Sequence, residues 1–302
     1  MLASPSSVGA TMPLPGNEYG SAIAKNEFAL FQALIYKEAG IHLPDTKRAL
    51  LVRRLSGRLR ALKLKSFAAY YRRIVKEGDA EERVRMLDCI TTNETSFFRE
   101  PRQFEFLEQK LIPAWKKAAD AGQRLRLIRV WSAACATGEE PFSVAMTLLH
   151  HLPPAQGWKI DILATDLSTR VLDRGRKAIW PTRKVGDIPQ ELMKRFMLRG
   201  RGSQEGNVMA SRSLRSVIRF RHLNLHHSPY EVGARFDLIL CRNVLIYFDA
   251  KSKAGVVQRL LHHLSADGYF FVGHAESLLS LSNQLRSVIP TVYRFANAEA
   301  EV

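Results

Sequence analysis

The chain has 302 residues, 46% of them hydrophobic and 25% charged, which describes a globular protein with material for two modest cores and excludes a collagen-like or wholly disordered chain. Its 45 basic against 29 acidic residues leave a formal charge of +16, a field that favours an acidic partner without choosing among nucleic acid, an anionic membrane surface and an acidic protein. Cys89, Cys135 and Cys241 are widely spaced, lack zinc-ligand spacing and read as thiols in a reducing cytoplasm; no apolar run approaches the roughly 18–20 residues of a membrane span.

Residues 1–20, MLASPSSVGATMPLPGNEYG, read as a disordered Ser/Pro/Gly tail, without the basic start and apolar core of a signal peptide. Residues 21–90 read as a helical domain. Phe28, Leu30, Phe31, Leu34 and Ile35 have helical spacing, and Leu43-Pro-Asp-Thr46 is expected to supply a break and a helix cap. From Thr46 to Lys76 there are eleven Lys or Arg residues and no acid. Leu51, Leu55, Leu59 and Leu62 share a helical face, and Arg53 and Arg60 point away from it. Such a run is either a solvated face or a docking surface for something acidic. With no acid inside the run there is no opposite-charge pair four residues apart within it, and its like charges repel along the helix.

Residues 91–126 form a linker leading into a domain at 127–302. In that domain strand-like and helix-like runs alternate: Leu127–Trp131, Glu140–His150, Ile160–Thr165, Ser168–Lys177, Phe236–Cys241, Lys251–Leu264 and Tyr269–Gly273. Alternation of this kind predicts a parallel sheet with helices on both faces, binding its ligand beyond the carboxyl ends of the strands. Residues 181–222 interrupt the pattern. A helical patch at Gln190–Phe196, a Gly-rich turn and the alternating Val217, Ile218 and Phe220 are read as a small inserted β-element.

The informative residues fall at strand ends. Asp166 closes the strand ILATD, where an acid either accepts both ribose hydroxyls of a nucleoside or caps the next helix. The first loop, Ser132–Glu139, has one glycine and neither G-x-G-x-x-G nor G-K-[ST], so the pyrophosphate cradles are missing. Its Glu139 would repel phosphate and attract an ammonium or a sulfonium. A nucleoside carrying a cationic amino acid, S-adenosylmethionine, fits both features. Thr91–Glu100, TTNETSFFRE, reads either as an ordinary capped helix start with Phe97 and Phe98 in the core or as part of a site through Asn93, Thr95 and Arg99. Arg242-Asn243 is equally compatible with a polar pair at a helix start, and His274 reads as structural.

Taken together, TTNETSFFRE, VWSAACATGEEPFS, ATDLS, FDLILCRNVLIYFD and GYFFVGHAES, in this order and spacing, resemble the CheR family of chemotaxis receptor glutamate methyltransferases, from about residue 22 to 296. The departures are Cys135, where small residues are usual, and the N-terminal extension, which matches no motif. The resemblance implies an α/β, Rossmann-like S-adenosylmethionine-dependent methyltransferase domain with an N-terminal all-helical domain and a small inserted β-subdomain. It implies methyl transfer to glutamates on the cytoplasmic helices of a chemoreceptor, giving glutamyl methyl esters and S-adenosylhomocysteine. Carried over by motif, Asn93, Thr95 and Arg99 face the cofactor, Glu139 its amino group, Asp166 the ribose, Asn224 and Leu225 the adenine, and Asn243 and Val244 the methionine side. Arg99 and Tyr247 meet the acceptor carboxylate. Glutamate, with a pKa of about 4.3, needs no general base at neutral pH.

The same resemblance gives the basic helix a partner, the acidic methylation helices, through Arg53, Arg54, Arg58 and Arg60. It lets the β-insert hold a receptor's C-terminal tether peptide. The protein is expected to be a monomer, neither embedded in a membrane nor bound to nucleic acid. A nucleic-acid methyltransferase would suit the charge, but the strip reads CRNVLIYF and not N/D-P-P-Y/F. A non-catalytic adaptor would not need Arg99, Asp166 and Tyr247 all in place.

Overall fold

The computed structural model describes residues 22–278 and 283–297; the tail expected at residues 1–20 lies outside them. The chain divides into two compact units, one taking in the chain through Phe31 and Pro44–Ile90, the other Gln32–Leu43 and everything from Thr91 onward.

The first unit is helical. Helix α1 (Lys25–Ala39) begins in it; α2 (Arg48–Ala61), α3 (Phe67–Val75) and α4 (Ala80–Ile90) complete it. Leu51, Leu55 and Leu59 of α2 are buried with Phe28, Phe31, Phe67, Tyr70 and Ile74. Ser66 starts α3 by accepting a hydrogen bond from Ala69 N. The cap expected at Leu43–Thr46 does not form as such: α1 already stops at Gly40 in the left-handed region (φ +68°), and neither Pro44 nor Lys47, at the cap positions of the next turns, makes a side-chain cap bond.

The acid-free run also looks different in three dimensions. Arg58 Nε and Nη2 grip Glu82 of α4 at 2.8 and 2.5 Å, and Tyr70 Oη donates to the same carboxylate at 2.8 Å. Arg54 donates to the carbonyl of Ile90. Arg53 and Arg60 remain exposed. The repulsion read along the helix is therefore partly relieved by an acid distant in sequence.

The second unit continues through α5 (Pro101–Phe106), a wider turn at Leu107–Leu111, and α6 (Ile112–Asp120). It then alternates β1 (Leu127–Ala133), α7 (Glu139–His151), β2 (Lys159–Asp166) and α8 (Thr169–Lys177). The next segment holds β3 (Ile179–Pro181), α9 (Gln190–Phe196), β4 (Met197–Arg199), β5 (Asn207–Ala210) and α10 (Arg212–Ser216). The chain returns through β6 (Ile218–His222), β7 (Phe236–Cys241), α11 (Ala250–His262), β8 (Leu264–Val272), β9 (Leu285–Ile289) and β10 (Val292–Phe295). The large sheet has the order β6-β2-β1-β7-β8-β10-β9; the first five strands are parallel, and β10 and β9 complete it antiparallel.

Both faces are covered, as the near-continuous apolar runs require. Ile128 and Val130 of β1 join Phe142, Val144 and Leu148 of α7 on one side. Trp131 and Ala133 join Val256, Val257 and Leu260 of α11 on the other. Asp237, the one acid in β7, sits low in the strand, accepting from Arg124 Nη2 at 2.8 Å and Arg129 N at 2.7 Å.

Two readings are corrected here. Ile218–His222 is not part of the insert: it pairs in parallel with β2, Ile162 opposite Ile218 through Asp166 opposite His222. The small sheet is β3-β5-β4 alone. The alternation at 217–220 was real, but alternation does not say which sheet a strand joins. Leu264 likewise opens β8 and does not end the preceding helix, and the sequence does not announce the hairpin β9–β10, whose strands are only five and four residues long.

Candidate functional site

The loop after central β1 lies where strand order departs in both directions, to β2 on one side and β7 on the other. It turns through three left-handed residues, Ala134 (φ 68°), Ala136 (φ 47°) and Gly138 (φ 96°). Left-handed backbone costs an L-residue roughly 1–2 kcal/mol, so this shape must be held from outside. It is: Cys135 N donates to Thr165 O at 2.9 Å and Ala136 N to Asp166 Oδ2 at 2.9 Å. At Gly138 a Cβ would stand 3.3 Å from the Gly175 backbone, so a bare backbone is needed for close packing as well as for φ. Cys135 is fully buried and its thiol pKa is pushed well up, first by burial and then by Asp166, so it stays protonated.

Glu139 is the first residue of α7 and has no exposed surface. Thr137 Oγ1 donates to its Oε2 at 2.6 Å, and Lys184 Nζ lies 3.3 Å from Oε1. The positive end of α7 further favours its charge. One strand over, Asp166 is 6% exposed; Oδ1 accepts from Ser168 N at 2.8 Å and Oδ2 from Ala136 N. The cap of α8 is Ser168, which accepts from Val171 N, so Asp166 supports that turn without capping the helix itself.

Asn224 and Leu225 follow β6, beside Asp166, whose carbonyl accepts from Leu223 N at 3.0 Å. The Asn224 side chain is committed at both ends: Oδ1 accepts from His226 N at 2.9 Å and Nδ2 donates to Glu38 O at 2.6 Å. Leu225 is buried, and its carbonyl accepts from Tyr230 Oη and from Arg259 Nη2.

The Thr91–Glu100 segment is not a helix start. It runs as an irregular chain, with Phe98 (φ 51°) and Glu100 (φ 62°) left-handed, and α5 begins only at Pro101. Phe97 is core, edge-on to Trp180; Phe98 is half-buried against Phe104. A helix and two loops fasten the segment. Phe98 N donates to Ser143 Oγ at 2.9 Å, Arg242 Nη2 donates to Arg99 O, and Glu100 Oε1 accepts from His274 N at 3.0 Å. The Arg99 side chain is left exposed, with one bond to Glu94 O at 3.3 Å, and Asn93 and Thr95 are partly exposed beside it in sequence.

Sequence reasoning missed the buried pair behind this segment. Arg242, 2% exposed in its side chain, meets Glu140 Oε2 at 3.2 Å and Glu100 Oε2 at 3.7 Å. Burial raises the Glu140 pKa, and Arg242 and a 2.6 Å bond from Ser132 Oγ oppose that rise. The available signal was a lone arginine interrupting the most apolar strand. After it, Asn243 is left-handed (φ 57°) and Leu245–Tyr247 makes one tight turn. Tyr247 is half-buried, and its carbonyl accepts from His42 N at 2.9 Å.

Two fixed carboxylates and a tightly curled small-residue loop without a phosphate motif therefore stand at neighbouring strand ends, an acceptor set that fits a nucleoside with an ammonium group. Residues 93–294 match the domain family described as CheR methyltransferase, SAM binding domain, and residues 26–91 match CheR methyltransferase, all-alpha domain.

The chain belongs to the CheR methyltransferase family.

Among its relatives, Chemotaxis protein methyltransferase 2 of Pseudomonas aeruginosa is 37% identical over 89% of this chain and 92% of its own length. Chemotaxis protein methyltransferase of Escherichia coli is 37% identical over 90% and 91%, and that of Salmonella typhimurium 36% over 92% and 93%. The cofactor of the methyltransferase is S-adenosylmethionine, as Glu139, Asp166 and the missing phosphate motifs predicted. The α/β fold with its helical N-terminal domain agrees with the resemblance as well. Among the described residues, no helix is long and apolar enough to cross a membrane.

Proposed function

We propose that the methyltransferase esterifies glutamate side chains on the cytoplasmic helices of a chemoreceptor, releasing S-adenosylhomocysteine. S-Adenosylmethionine supplies a methyl group on a sulfonium, an electrophile that an ionised carboxylate attacks directly. The reading is carried by one observation above the others: Glu139 and Asp166 are both buried and both pinned by hydrogen bonds at adjoining strand ends. Preorganised groups of this kind bind without paying to reorient.

Glu139 receives the amino group and Asp166 the ribose hydroxyls. Asn224 and Leu225 serve the adenine through backbone and apolar surface, since the Asn224 amide is already bonded at both ends. Asn93 and Thr95 border the cofactor from the anchored segment, and Asn243 and Val244 border its methionine side. Arg99 and Tyr247 orient the acceptor carboxylate. A partly exposed arginine suits that task, because a tight buried ion pair would blunt the nucleophile. The buried Arg242 keeps Arg99 in place through its backbone carbonyl.

Receptor docking falls to Arg53 and Arg60, the exposed members of the basic helix; Arg54 and Arg58 are engaged inside their own unit and contribute charge only. The insert offers a second contact. Ile179, Met209 and Leu198 stand in one register row across the small sheet, with Ile179 40% and Leu198 51% exposed, and β3 and β4 are its edge strands. An unpaired edge beside apolar side chains suits an extended tether peptide. The enzyme works as a cytoplasmic monomer.

The test is transfer of labelled methyl from S-adenosylmethionine to a receptor cytoplasmic fragment, followed by mild base. An ester releases the label as volatile methanol. Label that stays on the protein would be N- or S-methyl and would end the glutamate assignment.

A further inference from the structure

Glu276 lies outside every role assigned above. It sits in the loop after β8, next to the loop after β7, because these two strands pair in parallel with Cys241 opposite Val272. Its side chain points inward and is 2% exposed. Three backbone N–H groups converge on the carboxylate: Gly273 N at 2.7 Å and Asn243 N at 2.8 Å on Oε2, and Ile246 N at 3.2 Å on Oε1. Two of these donors come from the strip that carries Asn243, Val244 and Tyr247.

The surroundings are shaped to the same end. Asn243 is left-handed, a conformation that residues other than glycine adopt at a cost. A Cβ on Gly273 would stand 2.5 Å from Asn243 Nδ2 and 2.8 Å from both Asn243 N and Glu276 Oε2. Gly273 is thus bare for the close approach of the strip and its clamp. A carboxylate, which only accepts, meets three donors on two oxygens; an amide in its place would turn an N–H₂ toward one of them.

We propose that Glu276 is a positioning residue that fixes the Asn243–Tyr247 strip, and through it the surface that recognises the amino-acid half of the cofactor. The inference rests on the proposed placement of Asn243 and Val244 against the methionine side. Its test is a paired calorimetric titration with S-adenosylhomocysteine and with 5′-methylthioadenosine, which keeps the nucleoside and lacks the amino acid. Glu276→Gln is expected to weaken S-adenosylhomocysteine binding at least tenfold and 5′-methylthioadenosine binding less than threefold. Gly273→Ala, whose added Cβ would press on both Asn243 and the Glu276 carboxylate, is expected to give the same asymmetry.

Amide hydrogen exchange without ligand supplies a second readout, in which Glu276→Gln should accelerate the peptide covering residues 242–248 selectively. Equal losses for both ligands, or unchanged S-adenosylhomocysteine affinity, would overturn the inference, as would unchanged exchange in that peptide. Should the wild type bind neither ligand, the cofactor placement falls with it, and hydrogen exchange alone decides whether Glu276 holds the strip.

Discussion

Replacing Asp166 by Asn tests the cofactor site most directly, because the change keeps shape and removes charge. In the structure Oδ1 accepts from Ser168 N at 2.8 Å and Oδ2 from Ala136 N at 2.9 Å. The amide retains one acceptor oxygen and turns its N–H₂ toward the other donor, and a buried donor left unmet costs about 1–3 kcal/mol of stability. The ligand loses separately. Two hydrogen bonds from ribose hydroxyls fall from charge-assisted to neutral or are lost, together about 2–3 kcal/mol, or roughly 30- to 160-fold in affinity. The assays are urea unfolding for the first term and calorimetric titration with S-adenosylhomocysteine for the second. A variant that unfolds like wild type and binds within threefold of it would refute the assignment of Asp166. So would a loss of binding that merely tracked a loss of folded protein.

Arg242→Met should lower stability by about 3–5 kcal/mol in urea unfolding, since it strands Glu140 and Glu100 behind the anchored segment. Glu82→Ala should cost a similar amount by stranding Arg58 and the Tyr70 hydroxyl, whereas Arg53→Glu with Arg60→Glu should leave stability within about 0.5 kcal/mol. The double reversal should instead slow receptor methylation at low salt; an unchanged rate there would remove the proposed docking face. Acidification supplies a further check through His226. Burial first, then His227 and Arg259, hold its pKa below the ordinary value of 6.5. The unfolded chain then binds the proton more tightly, so this contribution to stability is complete above about pH 6.5 and declines as pH falls through the window beneath it. The urea midpoint should drop between pH 6.5 and 5 with a shallower slope in His226→Gln, and an identical slope would rule that contribution out.

Legibility of this protein divides along the range of the interactions involved. The β1–α7–β2–α8 alternation, the helix Gln190–Phe196 and the strand Phe236–Cys241 were readable because periodicity and end signals are local, repeating within a few residues. The carboxylates at strand tips were readable for the same reason: a strand ending in Asp166 or a small-residue turn ending in Glu139 states its own position in the fold. Sheet membership was not local. Ile218–His222 carries the same alternation whether it closes the small sheet or edges the large one, and only pairing with β2 decides. Charge compensation was not local either. Glu82 reaches Arg58 across 24 residues, Arg242 holds the carbonyl of Arg99 across 143, and Glu276 gathers N–H groups from two loops. The sequence alone thus determined the cofactor, through residue types at strand ends, and the family, through five ordered motifs that resemble it. Tertiary structure alone decided which charges are buried and which remain exposed, because a buried charge is tolerated only where the fold brings it a partner.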